Sequence, residues 1–338
     1  MPKLQVRADD LRMKAPFAIT GHVFDAMPTI VVTLCDGASR GRGEASGVYY
    51  LNDGPVQITH AIEAIRGEIE AGLSREALRA RLPPCGARNA LDCALWELEA
   101  TRARQPVWRL AGLEEVRPLT TVMSCGADAP DAMARIAVGF ADARAIKLKL
   151  TGEPDLDARR VEAVRAARPD VWLSVDANQG YSLADLREVL PAFVKQGVSL
   201  VEQPLPRGED DALDGFSSPI PLAADESAQS TADVAALVGR YQVVNIKLDK
   251  CGGLTEALAM AEAARHRGLE LMVGNMGGSS WAMAAAFVVG QSCDVVDLDG
   301  PLWLTRDRSP GAEYREGRVW CGDEVWGGGE PLPAAATG

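Results

Sequence analysis

No apolar run in the sequence is long enough to span a bilayer, and the opening MPKLQVRADDLRMKAPF lacks the apolar core of a signal peptide. The expectation is a cytoplasmic protein with no membrane partner. A basic run is missing too. Acidic residues number 47 against 35 basic ones, and the formal charge of −12 excludes a phosphate-tracking surface and nucleic acid as a partner. CxxC is absent, and the seven cysteines (Cys35, Cys85, Cys93, Cys125, Cys251, Cys293, Cys321) are odd in number and scattered, which excludes a disulfide frame and a zinc site. Histidine is scarce: of the three, His22, His60 and His266, the last two fall on helical patterns and read as surface groups. GNMGGSS (274–280) has no phosphate-binding lysine and is a strand-to-helix turn, not a nucleotide loop.

What is present is a chain that is 47% hydrophobic with 33 glycines, enough for one large domain and a smaller one. From residue 119 onward, β-type segments recur at intervals of roughly 22 to 27 residues: 119–124, 145–150, 171–178, 198–204, 221–227, 242–249, 270–276 and 294–300. Alanine-rich amphipathic stretches such as DLDARRVEAVRAA (155–167) and LTEALAMAEAARHRG (254–268) separate most of them. Eight strands alternating with helices predict a β/α barrel over 116–305. Residues 1–115 follow another pattern, with a hairpin at 28–47 and helices at 56–72 and 87–104, and form an attached α+β module. The segment 306–338, with strand-like GRVWC and then a Gly/Pro-rich end, is expected to return to that module and then fray.

In ARAIKLKLTG (143–152), strand alternation puts Lys147 and Lys149 on one face and Ile146, Leu148 and Leu150 on the other. Two lysines side by side mark either a solvated edge or a cavity built to use them. The other strand ends favour the cavity. They carry Asp176 and Asn178, Glu202, Asp225 and Glu226, Asn245, Lys247 and Asp249, and Asp297 and Asp299. In a β/α barrel these ends share a mouth where chemistry is done. Asp176, Glu202 and Asp225, from three consecutive strands, repel one another unless a cation compensates; all-oxygen donors without His or Cys favour Mg²⁺, one per subunit, with Mn²⁺ as a substitute. Lys149 and Lys247, four strands apart, face each other across the mouth. Lys147 and a dication beside Lys149 both disfavour its positive charge and suit it to act as a base. Lys250 falls past its strand end, so it and Asp249 are loop or supporting residues.

KxK, DxN, ExP, DES, NIK and DxD on successive strands resemble the enolase superfamily, and ARNALDCALWELEA, VNIKLDKCGGLTEALA and DLDGPLWL resemble its dipeptide epimerases, especially the L-Ala-D/L-Glu epimerase group. The resemblance covers nearly the whole chain. It implies a modified (β/α)7β TIM-type barrel with an N-terminal α+β capping domain and an enediolate stabilised on Mg²⁺. It also implies Asp176, Glu202 and Asp225 as metal ligands and Lys149 and Lys247 as the acid/base pair, with Lys149 serving the D and Lys247 the L epimer. Lys147 would assist the oxyanion. Asp297 and Asp299 resemble the pair that binds the dipeptide's α-ammonium group, with one of them salt-bridged to a barrel lysine as the other reading. Thr121 and Asn275 are further substrate contacts.

The implied partner is a small dipeptide, within a homo-oligomer or alone, in cell-wall peptide metabolism. The histidine base of the mandelate-racemase-like branch has no counterpart in the strand LMVGNMGG. Capping loops at 16–28 and 45–53 are expected over the mouth. Relatives that select glutamate as second residue tend to supply an arginine from the first of these, and 16–28 holds none, which leaves other dipeptides open. Phe24, Tyr49 and Tyr50 can form an apolar wall there instead. Muconate cycloisomerase, o-succinylbenzoate synthase and N-acylamino-acid racemase activities use the same two-lysine scaffold, and a silent binding protein would not need every position intact.

Overall fold

The computed structural model describes residues 1–330 apart from residue 20. Three antiparallel strands come first: β1 (Lys3–Ile19), β2 (His22–Asp36) and β3 (Ser39–Ala45), in the order β1-β2-β3. The expected loop over 16–28 is therefore the tip of a long hairpin, in which Phe17 pairs with Phe24 and Ile19 with His22. A β-bulge between Arg12 and Phe17 breaks the pairing partway along, where such irregularities bend a strand.

The helix Gly86–Ala103 lies flat on this sheet and is buried along most of its length. Two glycines of β3 make that possible. A Cβ on Gly41 would sit 2.0 Å from the Ala94 carbonyl oxygen, and one on Gly43 1.9 Å from that of Ala90. The helix's other side is polar where it meets the barrel. Arg88 donates to the carbonyls of Cys251 and Gly252, and Asp92 accepts from the backbone N–H (2.9 Å) and hydroxyl (2.6 Å) of Thr255. The motif ARNALDCALWELEA is thus a joint, hydrogen-bonded to the barrel through Arg88 and Asp92 and packed on the sheet, where Glu97 also accepts from Arg42 of β3.

The segment 119–124 splits. β4 (Leu119–Thr120) leaves the barrel to pair with the late hairpin β13 (Glu313–Arg315) and β14 (Arg318–Trp320), while β5 (Val122–Cys125) opens the barrel. Seven parallel strands follow β5: β6 (Ala145–Lys149), β7 (Trp172–Asp176), β8 (Leu200–Glu202), β9 (Leu222–Ala224), β10 (Val243–Ile246), β11 (Glu270–Val273) and β12 (Val295–Val296). They form one 8-stranded sheet in sequence order. Its two edges, β5 and β12, meet through side chains: Leu298 N–H donates to Thr121 Oγ1 (3.0 Å), and Ser124 N–H to Asp299 Oδ2 (2.7 Å). The apolar core lies mainly between barrel and surrounding helices, with Ile146, Leu148, Val175 and Ile246 all buried there.

The chain after β14 returns to the first sheet's helix. Gly327 N–H donates to Glu97 (2.9 Å), Val107 N–H to the Gly327 carbonyl (2.7 Å), and Trp326 Nε1 to the Arg42 carbonyl (2.8 Å). Fraying was expected of the final residues, 331–338, which lie outside the described residues. All seven cysteines are unpaired, and no helix among the described residues is long and apolar enough to cross a membrane.

Candidate active site

The C-terminal strand ends converge on one cavity. Strand register places its acidic floor: Lys149 pairs with Asp176 and Asp176 with Glu202, so these three side chains share one level on adjacent strands. Asp225 follows directly after β9. Asp176, Glu202 and Asp225 are buried and each offers a carboxylate oxygen within 4.8 Å of the others, an arrangement that could hold a metal ion.

Every acid of this triad meets a lysine. Lys149 Nζ donates to Asp176 (2.5 Å), Lys247 Nζ to Asp225 Oδ2 (2.6 Å) and Lys250 Nζ to Asp225 Oδ1 (2.5 Å). Lys147 Nζ lies 3.1 Å from Glu202 and also donates to Asp297, while Asn245 Nδ2 donates to Glu202 Oε1 (2.7 Å). Lys149 ends β6 and Lys247 follows β10, so the two reach the cavity from opposite walls of the barrel, and both line it.

The charges do not balance within the protein. Asp176, Glu202, Asp225, Glu226, Asp297 and Asp299 oppose four ammonium groups, Lys147, Lys149, Lys247 and Lys250, so full ionisation leaves two excess negative charges, the charge of one dication. The acids register that excess. Burial and then the Asp176 carboxylate push Glu202 up to about 7, and burial and then Asp225 push Glu226 up to about 8. Burial would raise Asp225 as well, but Lys247 and Lys250 outweigh it and hold it below the ordinary carboxylate range. For Lys247 burial acts downward and Asp225 and Glu202 upward, and the carboxylates win. Asn178 Oδ1, Glu226 Oε2 and Asn245 Oδ1 are buried acceptors without a hydrogen-bond partner among the described residues. Hard oxygen donors, surplus negative charge and unused acceptors fit a hydrated Mg²⁺ ion.

A second acidic wall rises where the barrel closes. Asp297 pairs with Lys147 and accepts from Ser124 Oγ (3.5 Å), and Asp299 accepts from Ser124 N–H and from Trp303 Nε1 (3.0 Å). Burial and then Asp297 push Asp299 up to about 6. Asn275 lines the cavity and is fixed by bonds to the Asp297 carbonyl (2.8 Å) and from Gly277 N–H (2.8 Å). Thr121 does not join this wall. It precedes β5, at the N-terminal side of the strand, is buried, and its hydroxyl is used on Leu298 N–H and the Val122 carbonyl, which corrects its expected place as a substrate contact. Ser124 and Trp303 line the cavity at this wall instead. Neither was foreseen: Ser124 is found only through its register with Lys147, and Trp303 only through its bond to Asp299.

The first sheet roofs the cavity. Phe17, Ile19, Phe24 and Met27 come from the hairpin tip, and Tyr49 and Tyr50 from the following loop. Asp249 ties that loop to the barrel: its carboxylate, buried and pushed up to about 7 by burial above all, accepts from Gly47 N–H (2.8 Å).

Residues 130–324 match the enolase C-terminal domain-like family. The chain is 38% identical over 307 residues to the L-Ala-D/L-Glu epimerase of Escherichia coli (strain K12), spanning 91% of this chain and 96% of that protein. It is 42% identical over 251 residues to an N-acetyl-D-glutamate racemase of a Pseudoalteromonas species, spanning 73% and 78%. Among solved structures, an enolase family member from Agrobacterium tumefaciens with homology to dipeptide epimerases, with bound sodium and L-Ala-L-Glu, is 37% identical with a TM-score of 0.93 over 97% of this chain and 100% of that one. A dipeptide epimerase from Enterococcus faecalis V583, complexed with Mg and L-Leu-L-Tyr, is 26% identical with a TM-score of 0.86 over 94% and 95%.

Proposed function

The chain belongs to the enolase superfamily, and from that premise we propose that it is a Mg²⁺-dependent isomerase that inverts the α-carbon of the second residue of a dipeptide. The observation that carries this reading is the pair Lys149 and Lys247 on opposite walls of one cavity, with an acid triad between them. Asp176, Glu202 and Asp225 would hold the metal. Bound there, Mg²⁺ offsets the negative charge that accumulates on the substrate carboxylate as the α-proton leaves. One lysine takes that proton, the carbon becomes planar and enediolate-like, and the other lysine returns a proton to the opposite face. Lys147, beside the triad, supplies a fixed positive charge to the same oxygens. Asp297 and Asp299 would receive the α-ammonium group, Asp299 as the freer of the two because Asp297 already has Lys147. Asn275 holds that wall in place. The cytoplasm suits seven unpaired cysteines.

The test is ²H exchange and epimerisation of dipeptides in D₂O with Mg²⁺, followed by NMR. Exchange at the second residue's α-carbon, lost on chelation, is expected; none in any dipeptide refutes the proposal. N-acetylating a good dipeptide removes the cation that the carboxylate pair is suited to and should cost about 3 kcal/mol, roughly a hundredfold in kcat/KM. Equal values for free and acetylated forms would instead favour N-acylamino-acid racemisation, the activity named for the Pseudoalteromonas relative.

A further inference from the structure

We infer that the second residue of the substrate carries an apolar or aromatic side chain, of leucine, methionine or phenylalanine size, in preference to glutamate. The inference rests on the epimerase reading and follows from the four substituents of the reacting carbon. Its hydrogen points to Lys149 or Lys247, on opposite walls. Its carboxylate points to the acid triad, and its nitrogen leads toward Asp297 and Asp299. The side chain takes the one direction left, toward the roof. There it meets Ile19, Phe24, Met27, Tyr49 and Tyr50.

That roof is a packed aromatic surface. Tyr49 lies within electrostatic reach of Glu226, Lys247, Asp176 and Asp225, directly over the ionic floor. Its ring stands 5.3 Å from Phe24 and 5.2 Å from Tyr50, both edge-on. The Tyr50 hydroxyl faces sideways to Gln229 (3.3 Å). His22 stacks on Tyr49 at 5.0 Å, but it is exposed at the hairpin tip and is not among the residues that line the cavity.

A glutamate side chain would find no cationic partner there. Among the described residues no arginine lines the cavity, and its three lysines, Lys147, Lys149 and Lys247, are each bonded to a carboxylate of the floor. A side-chain carboxylate at the roof would lose its water against aromatic rings and gain no ion pair. An apolar side chain releases water from the same rings, and Met27 and Phe24 offer it further contact.

The experiment measures kcat/KM for α-exchange by the full chain with Mg²⁺ in D₂O on L-Ala-L-Leu, L-Ala-L-Met, L-Ala-L-Phe and L-Ala-L-Glu, with N-acetyl-L-leucine and N-acetyl-L-glutamate alongside. The apolar dipeptides should exceed L-Ala-L-Glu at least about tenfold, the scale on which a pocket discriminates side chains. Phe24→Arg should raise turnover of L-Ala-L-Glu and lower that of L-Ala-L-Leu. Glutamate turned over as fast as leucine overturns the inference. Exchange confined to the acetylated pair would refute the dipeptide reading alone, and leucine against glutamate in that pair would still decide the roof's preference. No exchange in any of the six overturns both.

Discussion

Removing Lys247 separates the two half-reactions. Lys149 and Lys247 enter the cavity from opposite walls; in the proposed two-base mechanism each would reach the α-hydrogen of one epimer only, and inversion would need both. Losing a positioned general base typically costs about a hundred- to ten-thousandfold. Epimerisation by Lys247→Ala should therefore fall at least about a hundredfold, and so should α-exchange of the epimer that faces Lys247. Exchange of the other epimer should fall by less than about tenfold, because the rest of the site survives. Asp225 loses the 2.6 Å bond to Lys247 but keeps Lys250 at 2.5 Å, so the carboxylate proposed to bind the metal stays charged and oriented. With one partner retained, the stability cost is about 1–3 kcal/mol, below that of orphaning a buried charge. The assay is proton NMR in D₂O, starting separately from L-Ala-L-Leu and L-Ala-D-Leu. Lys247→Ala should wash out the α-signal of the D epimer with retention and leave the L epimer untouched, and Lys149→Ala should do the reverse. A single-lysine variant that exchanges both epimers, or that still epimerises near the wild-type rate, would show that one base and a mobile substrate suffice.

Asp225→Asn deletes one charge from the triad and the one carboxylate that, among the described residues, is ion-paired with both Lys247 and Lys250, so apparent Mg²⁺ affinity should fall at least about tenfold and turnover nearly vanish, read by Mg²⁺ titration of activity; undiminished activity at limiting Mg²⁺ refutes the ligand assignment. Gly43→Ala puts a methyl 1.9 Å from the Ala90 carbonyl oxygen, backbone that cannot yield without moving the whole helix, and should cost about 2 kcal/mol or more in urea unfolding. Asp249 has its folded pKa raised from 3.8 to about 7, so its ionisation opposes folding, and the stability present below pH 4 is lost as pH rises toward 7. Asp249→Asn keeps an acceptor for Gly47 N–H and should be more stable than wild type at pH 8 by up to about 4 kcal/mol, a difference that closes toward pH 4 in thermal melts and that a constant difference across pH would contradict.

The chemistry of the site was legible in one dimension because a strand alternates with period two. Once Ile146 and Leu148 are taken as core, Lys147 and Lys149 must face inward, and the same rule exposes Asp176, Glu202, Asp297 and Asp299. Strand-and-helix repetition likewise implied a barrel, since parallel strands need crossover helices and closed layers around them. Alternation says which face a residue takes, but not at what height it meets its neighbour or where a strand begins. Thr121 shows the limit. Expected among the substrate contacts, it lies before β5 at the far side of the barrel, and Ser124, three residues on, lines the cavity. Lys250 shows another: past the end of β10 the chain turns through a short helix, Leu248–Cys251, which carries its ammonium back under the triad onto Asp225.

Sequence alone thus determined the inventory of ionisable groups and the wall each belongs to, because both follow from local backbone geometry. Only the tertiary structure decided which lysine meets which acid, how β5 and β12 close through Thr121 and Ser124, and what roofs the cavity. Those depend on strand stagger and on a hairpin that ends about 86 residues before the first of the strands it covers, and ion pairing is settled by distances of a few ångströms that no local pattern encodes.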